Sequence, residues 1–285
     1  MTQEPSPATT SSPLDSAGAL IALAVGNTRT RVGSFQIAAN GNECLNPQSF
    51  DSSEPQQIAD RVKEIIDSTI ENDADFPTII MSSVSPSSAD AIERAVRETT
   101  NQSAFRFGRD LQIPIRHTLT ETGEMTVGQD RLLTAIGAFD ALKQACVVID
   151  AGTAVTIDFV DGEGTFHGGA ILPGVAMMLG SLHEQAANLP KLVYKKLDKD
   201  TSEPAKQTDD AIMLGVTSAI RGAVRLLTER YAEHYSAYPQ TIVTGGDLGI
   251  LEDEELIDTF APDLQLQGIR VACAQIVEQD DEHDG

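Results

Sequence analysis

Every position from residue 19 to residue 25 is apolar (Ala19-Leu20-Ile21-Ala22-Leu23-Ala24-Val25), and the run stops at Gly26-Asn27. An unbroken apolar run of this length, closed by turn residues, predicts a strand buried on both faces. Residues 31–36 alternate weakly and predict the strand returning from that turn. Over residues 56–70, Ile58, Val62, Ile65, Ile66 and Ile70 recur at helical spacing, with Pro55 placed for a first turn. Residues 78–81 predict a short strand ending in the turn Ser82-Ser83-Val84-Ser85-Pro86. Ala91, Ile92 and Val96 mark an amphipathic helix over 88–99. Residues 105–115 are mixed and predict a short strand. After Val127-Gly128-Gln129-Asp130-Arg131, the spacing of Leu132, Leu133, Ile136 and Phe139 predicts another helix.

The pattern then resets. A strand over 146–149, a turn over 150–154 and a strand over 156–160 lead to a hairpin turn, Asp161-Gly162-Glu163-Gly164. A strand over 166–172 follows, and Pro173-Gly174 starts a helix running to about residue 187. Residues 191–206 are charged and irregular. Ile212, Val216, Ile220, Val224 and Leu227 predict a long helix over 209–235. A strand over 241–244 precedes Gly245-Gly246-Asp247, and a last strand and helix occupy about 264–277. The order hairpin, helix, strand therefore occurs twice, the second copy starting near Ala145. That is an α/β chain made of two duplicated domains, with ligand turns at the carboxyl ends of strands and a site in the cleft between the halves. The expected division is a disordered lead-in over 1–16, a first domain over 17–143, a second over 144–277 and an acidic disordered tail over 278–285.

Composition narrows the partners. The 285 residues are 41% hydrophobic and 22% charged, values that support a sizeable core. A formal net charge of -23 leaves no basic footprint for nucleic acid or an anionic membrane. No apolar run is read as membrane-spanning, and the Pro, Ser and Thr-rich start lacks the pattern of a secretory signal. Cys44, Cys146 and Cys273 match no metal-ligand spacing, and an odd count argues against a disulfide framework, which fits a cytoplasmic protein.

Chemistry concentrates at the turns. In Asp150-Ala151-Gly152-Thr153-Ala154-Val155-Thr156, Gly152 allows close approach of a phosphate and the threonines offer hydroxyls. Asp150 can hold a hydrated Mg²⁺, which favours a carboxylate together with water and phosphate oxygens. An ordinary hairpin whose Asp caps backbone amides has the same local sequence. Asp130, at a helix start, can accept the proton of an attacking hydroxyl, or can simply favour the helix dipole. Arg131 can grip an anionic group with two nitrogens. Gly245-Gly246 permits close nucleotide contact, or makes a tight turn capped by Asp247. Arg29 and Arg31 flank the first turn and either face phosphate or lie exposed on a hairpin. The five histidines show no ligand spacing, and there is neither a nucleophile elbow nor a Walker-type glycine loop.

Taken in order, these segments resemble the type III pantothenate kinases of the actin/Hsp70/sugar-kinase superfamily. The similarity spans about residues 19–276. The first family motif, D-x-G-N-T and a following basic residue, is similar to Ala24-Val25-Gly26-Asn27-Thr28 with Arg31. The S-S-V-x-P turn is Ser82 to Pro86, G-x-D-R is Gly128 to Arg131, and D-x-G-T-A-x-T is Asp150 to Thr156. Gly168-Gly169-Ala170-Ile171-Leu172-Pro173-Gly174, Leu189-Pro190, Thr208 and Gly245-Gly246-Asp247 complete the series. The resemblance implies two RNase H-like domains around a central cleft, the actin-like ATPase fold. It implies transfer of the ATP γ-phosphate to pantothenate, the first step of coenzyme A synthesis, with Mg²⁺ and a monovalent cation (K⁺ or NH₄⁺), by a homodimer. It assigns Asp130 as general base and places pantothenate against Gly128, Gln129, Arg131 and Thr208. ATP and its phosphates fall to Gly26, Asn27, Thr28, Arg31, Gly152, Thr153, Gly245 and Gly246, and the metal to Asp150.

Two positions depart from the family pattern. The first-motif acid is Ala24, and Glu121 and Glu124 stand where a Tyr and a Pro are usual. They set up two alternatives: a ligand-binding or regulatory relative without turnover, and a phosphotransferase of the same fold with another small hydroxyl substrate.

Overall fold

β1 (Ala19–Val25) is buried at all seven positions, as its unbroken apolar run requires. In a computed structural model that describes residues 19–36, 43–70, 77–197 and 204–284, it is the central strand of a five-stranded sheet. The expected disordered lead-in lies outside the described residues. β2 (Arg29–Gln36) returns antiparallel to β1, and β3 (Leu45–Asp51) adds antiparallel to β2. After α1 (Pro55–Ile70), β4 (Thr78–Ser83) pairs parallel with β1. After α2 (Pro86–Thr100), β5 (Phe105–Arg106) pairs parallel with β4.

The second half repeats this plan. β6 (Cys146–Ala151), β7 (Ala154–Val160) and β8 (Phe166–Pro173) form an antiparallel meander. After α5 (Val175–Gln185) and α6 (Thr208–Tyr235), β9 (Gln240–Thr244) pairs parallel with β6, and β10 (Thr259–Phe260) pairs parallel with β9. The sheets have strand orders β3-β2-β1-β4-β5 and β8-β7-β6-β9-β10, identical in sequence and direction. This is the duplicated α/β architecture expected from the sequence.

Alternation along the central strands sorts the layers. Ile21, Leu23 and Val25 of β1 pack with α1 and α2, whereas Leu20, Ala22 and Ala24 face the opposite core. In β6, Val147 and Ile149 pack with α5 and α6, and Cys146 and Val148 face the other way. Between the two inner sheet faces lie α4 (Gln129–Leu142) and α7 (Leu264–Asp284). α4 meets both cores, through Leu133 and Ile136 on one side and Ala135 and Ala138 on the other. The two helices cross at paired glycines. A Cβ on Gly137 would lie 2.7 Å from the Leu264 carbonyl oxygen, and one on Gly268 would collide with the Leu133 carbonyl. Gly268→Ala is therefore expected to force the helices apart and destabilise the protein by about 1–3 kcal/mol or more, read as a lower urea midpoint.

Several boundaries differ from the sequence reading. Residues 264–284 are one helix that packs on the first sheet, and it continues through 278–284, where a disordered tail was expected. The strand expected beside it is β10, five residues upstream of 264. Ser82 and Ser83 belong to β4 rather than to a turn, and Asp150 is the penultimate residue of β6. β3 was missed because its side chains are mostly exposed and show no apolar alternation. α6 is, by length and composition, apolar enough to cross a membrane. Its residues Met213, Val216, Ile220 and Val224 are buried against the second sheet.

Candidate active site

The turns that follow β1 and β6 meet. Thr28 Oγ1 lies 3.3 Å from Thr153 Oγ1, a contact between residues 125 positions apart. Each turn ends the central strand of its sheet and each places exposed small or polar residues at the junction. Gly26-Asn27-Thr28 and Gly152-Thr153 thus form two lips of one opening. A Cβ on Gly152 would make ordinary contacts at 3.7 and 3.8 Å, so packing does not demand glycine there. Its bare backbone leaves room for a ligand. Gly174 closes the turn from behind, its amide donating to the Thr153 carbonyl at 3.1 Å.

Three carboxylates, Asp150, Asp130 and Asp158, lie close enough to act on one another near the β6 end of this opening. Asp150 and Ala24 occupy corresponding places, each next to last in its central strand and each directed to the inner face of its sheet. Burial pushes the Asp150 carboxyl up to about 7, and the neighbouring Asp130 and Asp158 charges push it the same way. Gly245 backs onto it, with φ of +99° and a Cβ position 2.5 Å from Asp150 Oδ1. A side chain at 245 would displace that carboxylate. The Asp247 amide donates to the Ala151 carbonyl at 2.8 Å, tying the Gly-Gly turn to the same strand end. The Asp247 side chain itself makes no capping bond.

Asp130 sits in the first turn of α4, where Oδ1 accepts the Arg131 amide at 2.8 Å. Burial raises its pKa, opposed by that amide and by the Arg131 charge. Arg131 is gripped by Asp158 of β7. Nε donates to Oδ1 and Oδ2 at 3.1 and 3.0 Å, and Nη2 also donates to Oδ1. The Phe166 ring centroid lies 5.5 Å from the guanidinium carbon. Burial works against the Arg131 charge, and the Asp158 carboxylate outweighs it, so the guanidinium is held protonated.

The remaining expected residues divide. Arg31 forms an ion pair with Asp263 at the start of α7. Gln129 is packed against Gly108, with its Oε1 buried and lacking a partner among the described residues. Gly128 is the N-cap of α4, and Gly246 borders open space. Thr208 is exposed at the first residue of α6. Asp158 was not singled out from sequence. Its signal was a lone acid within the apolar alternation Val155, Ile157, Phe159, on the face shared with Thr156.

A model of the type III pantothenate kinase family matches residues 20–230. This chain belongs to that family. A type III pantothenate kinase from Syntrophotalea carbinolica is 28% identical over 257 residues, covering 88% of this chain and 97% of the relative. One from Rhodopirellula baltica is 38% identical over 178 residues, covering 61% of this chain and 62% of the relative. Among solved structures, the activator of the 2-hydroxyisocaproyl-CoA dehydratase from Clostridium difficile with bound ADPNP superimposes with a TM-score of 0.51 at 11% identity. It covers 93% of this chain and 97% of that one, a likeness of fold.

Within a type III pantothenate kinase, the two departures now have structural addresses. Ala24 is 3% exposed and aligns with Ser82 of the neighbouring β4. The Ser82 hydroxyl is buried and has no hydrogen-bond partner among the described residues. Glu121 and Glu124 lie in α3 (Glu121–Thr126), a surface helix with no buried residue, where Glu124 comes within 3.7 Å of His117 Nε2.

The site also fits Mg²⁺ arriving with a nucleotide. Among the described residues no group of three His, Cys, Asp or Glu side chains is arranged as a metal cage. Asp150, desolvated and crowded by like charge, is a carboxylate that gains from a cation, and the open glycine turns leave space for phosphate oxygens.

Proposed function

We propose that this chain phosphorylates pantothenate at its primary hydroxyl with ATP, as the first step of coenzyme A synthesis. The observation that carries the reading is the placement of Asp130 and Arg131, adjacent on the first turn of α4, in one charge cluster with Asp150. Asp130 takes the hydroxyl proton as the oxygen bonds to the γ-phosphorus and the bond to the ADP oxygen breaks. Arg131 holds the pantothenate carboxylate, with Gly128 and Gln129 beside it and Thr208 closing the substrate side. Thr28, Thr153 and the Gly26, Asn27, Gly152, Gly245 and Gly246 backbones border the phosphates. Asp150 would hold Mg²⁺, which supplies neutralisation of charge on the phosphates. A monovalent cation, a homodimer and a cytoplasmic setting belong to the same reading. Exposed Ile171, Met177 and Leu182 on β8 and α5 offer apolar surface for a partner subunit. The curated relatives named above carry the kinase name, and the regulatory alternative has no counterpart among them.

The test is turnover of purified protein with ATP and pantothenate, followed by ADP release and the mass of the product. Folded protein without turnover across Mg²⁺, Mn²⁺, K⁺ and NH₄⁺ conditions would sink the reading. Ala24→Asp belongs beside it. The new carboxylate would meet the unpartnered Ser82 hydroxyl and face the same cation. The half-saturating Mg²⁺ concentration is expected to fall, while the ligand-free protein melts lower because another buried acid lacks a counterion.

A further inference from the structure

We infer that Asp158 is a positioning residue that sets the preference for a carboxylate-bearing substrate, by occupying one edge of the Arg131 guanidinium and presenting the other. This rests on the proposed function, because the presented edge meets the substrate only if Arg131 is its anchor.

The geometry is one-sided. Asp158 engages Nε and Nη2 of Arg131, and Nη1 makes no hydrogen bond among the described residues. A guanidinium is planar and presents its donors in a fixed fork, so binding one edge determines where the free nitrogen points. Asp158 is itself fixed. It is fully buried in β7. Across the ladder from it is Gly169 of β8, where any Cβ would collide with Asp158 Oδ1. The glycine thus leaves a socket for the carboxylate. Phe166 covers the guanidinium at 5.5 Å, so Arg131 is held at its edge and over its face.

Charge balance gives the arrangement a second consequence. Arg131 is the cation acting on both Asp130 and Asp158, and both acids in turn press on Asp150. Without Asp158, the guanidinium loses the grip on its edge and can turn to Asp130 beside it. Asp158 therefore holds the anchor in place and keeps it off the proposed base.

Asp158→Asn preserves shape and removes the charge, and it puts an amide donor against an arginine donor. The measurement is kcat/KM for pantothenate and for its neutral primary amide, which keeps the reacting hydroxyl and loses the carboxylate. The ratio is expected to fall by about tenfold or more in Asp158→Asn, through KM for pantothenate, with KM for ATP little changed. An unchanged ratio, or equal loss on both substrates, overturns the inference and leaves Asp158 as a structural ion pair. Should Asp158→Asn fail to fold, Arg131→Lys gives a second reading. Its single nitrogen would be taken by Asp158, and the same loss of discrimination is expected; retained discrimination overturns the inference. Wild-type turnover with an unaltered ratio in the variants defeats this inference alone. Folded wild-type protein that uses neither substrate defeats the proposed function and this inference with it.

Discussion

Asp130→Asn is expected to lower kcat by about 10²–10⁴-fold, the usual contribution of a positioned general base, with little change in KM for ATP. The asparagine is isosteric and its carbonyl oxygen can still accept the Arg131 amide, so the helix start survives and the melting temperature should hold. What is lost is a proton acceptor. Burial already raises the Asp130 pKa, which brings the carboxylate towards the basicity a base needs near neutral pH. The wild-type rate should rise with pH as this group deprotonates, at a pH above the usual carboxylate range. A variant that retains kcat to within a few-fold would show that positioning alone carries the reaction and that Asp130 is a helix-start residue.

Asp150→Asn is expected to make the protein less active and more stable. Loss of a preorganised electrostatic group at a phosphoryl-transfer site costs about 10²–10³-fold in kcat. The stability effect has the opposite sign. Burial and the neighbouring acids push the Asp150 carboxyl up to about 7, well above the ordinary carboxylate range. As pH rises from about 4 to 7, the unfolded chain releases this proton first, and the fold loses stability over that window. Asparagine removes this slope. Without ligand, the variant should therefore melt above wild type at pH 8 and match it near pH 4. Saturating Mg²⁺ and ATP should narrow the gap at pH 8, because a cation beside the carboxylate favours its charged form. A variant that melts lower at pH 8 would mean that the Asp150 charge is already compensated within the fold.

The sequence made some of this site legible and hid the rest for physical reasons. β1 and β6 were readable because strands buried on both faces must be continuously apolar, and their ends were marked by glycine. Asp130 and Arg131 were readable because a helix start has a local signature. The contact of Thr28 with Thr153 was not, since strand-end turns carry no record of what they face across 125 positions. Arg31 shows the same limit: its ion pair with Asp263 joins residues 232 apart, and nothing near Arg31 in the chain announces it. Asp158 was passed over because one acid in an alternating strand reads as a solvent-facing residue. Here that face is covered by α4, and the acid is buried with an arginine. β3 lacked an apolar face, and α7 looked like an ordinary closing helix until its packing placed it on the first sheet.

That last placement bears on how the chain is made. A ribosome delivers β1 long before α7, yet the inner face of the first sheet is finished only when α7 lies along it with α4. The first sheet must therefore wait, with Leu20, Ala22 and Ile80 uncovered on one side, until the whole second sheet has emerged and α7 follows it. Contacts of such long sequence separation close slowly, and exposed apolar surface during that interval invites misassembly. The two halves look like repeats of one another, but they cannot mature one after the other: α7, which follows the second sheet, completes the first domain.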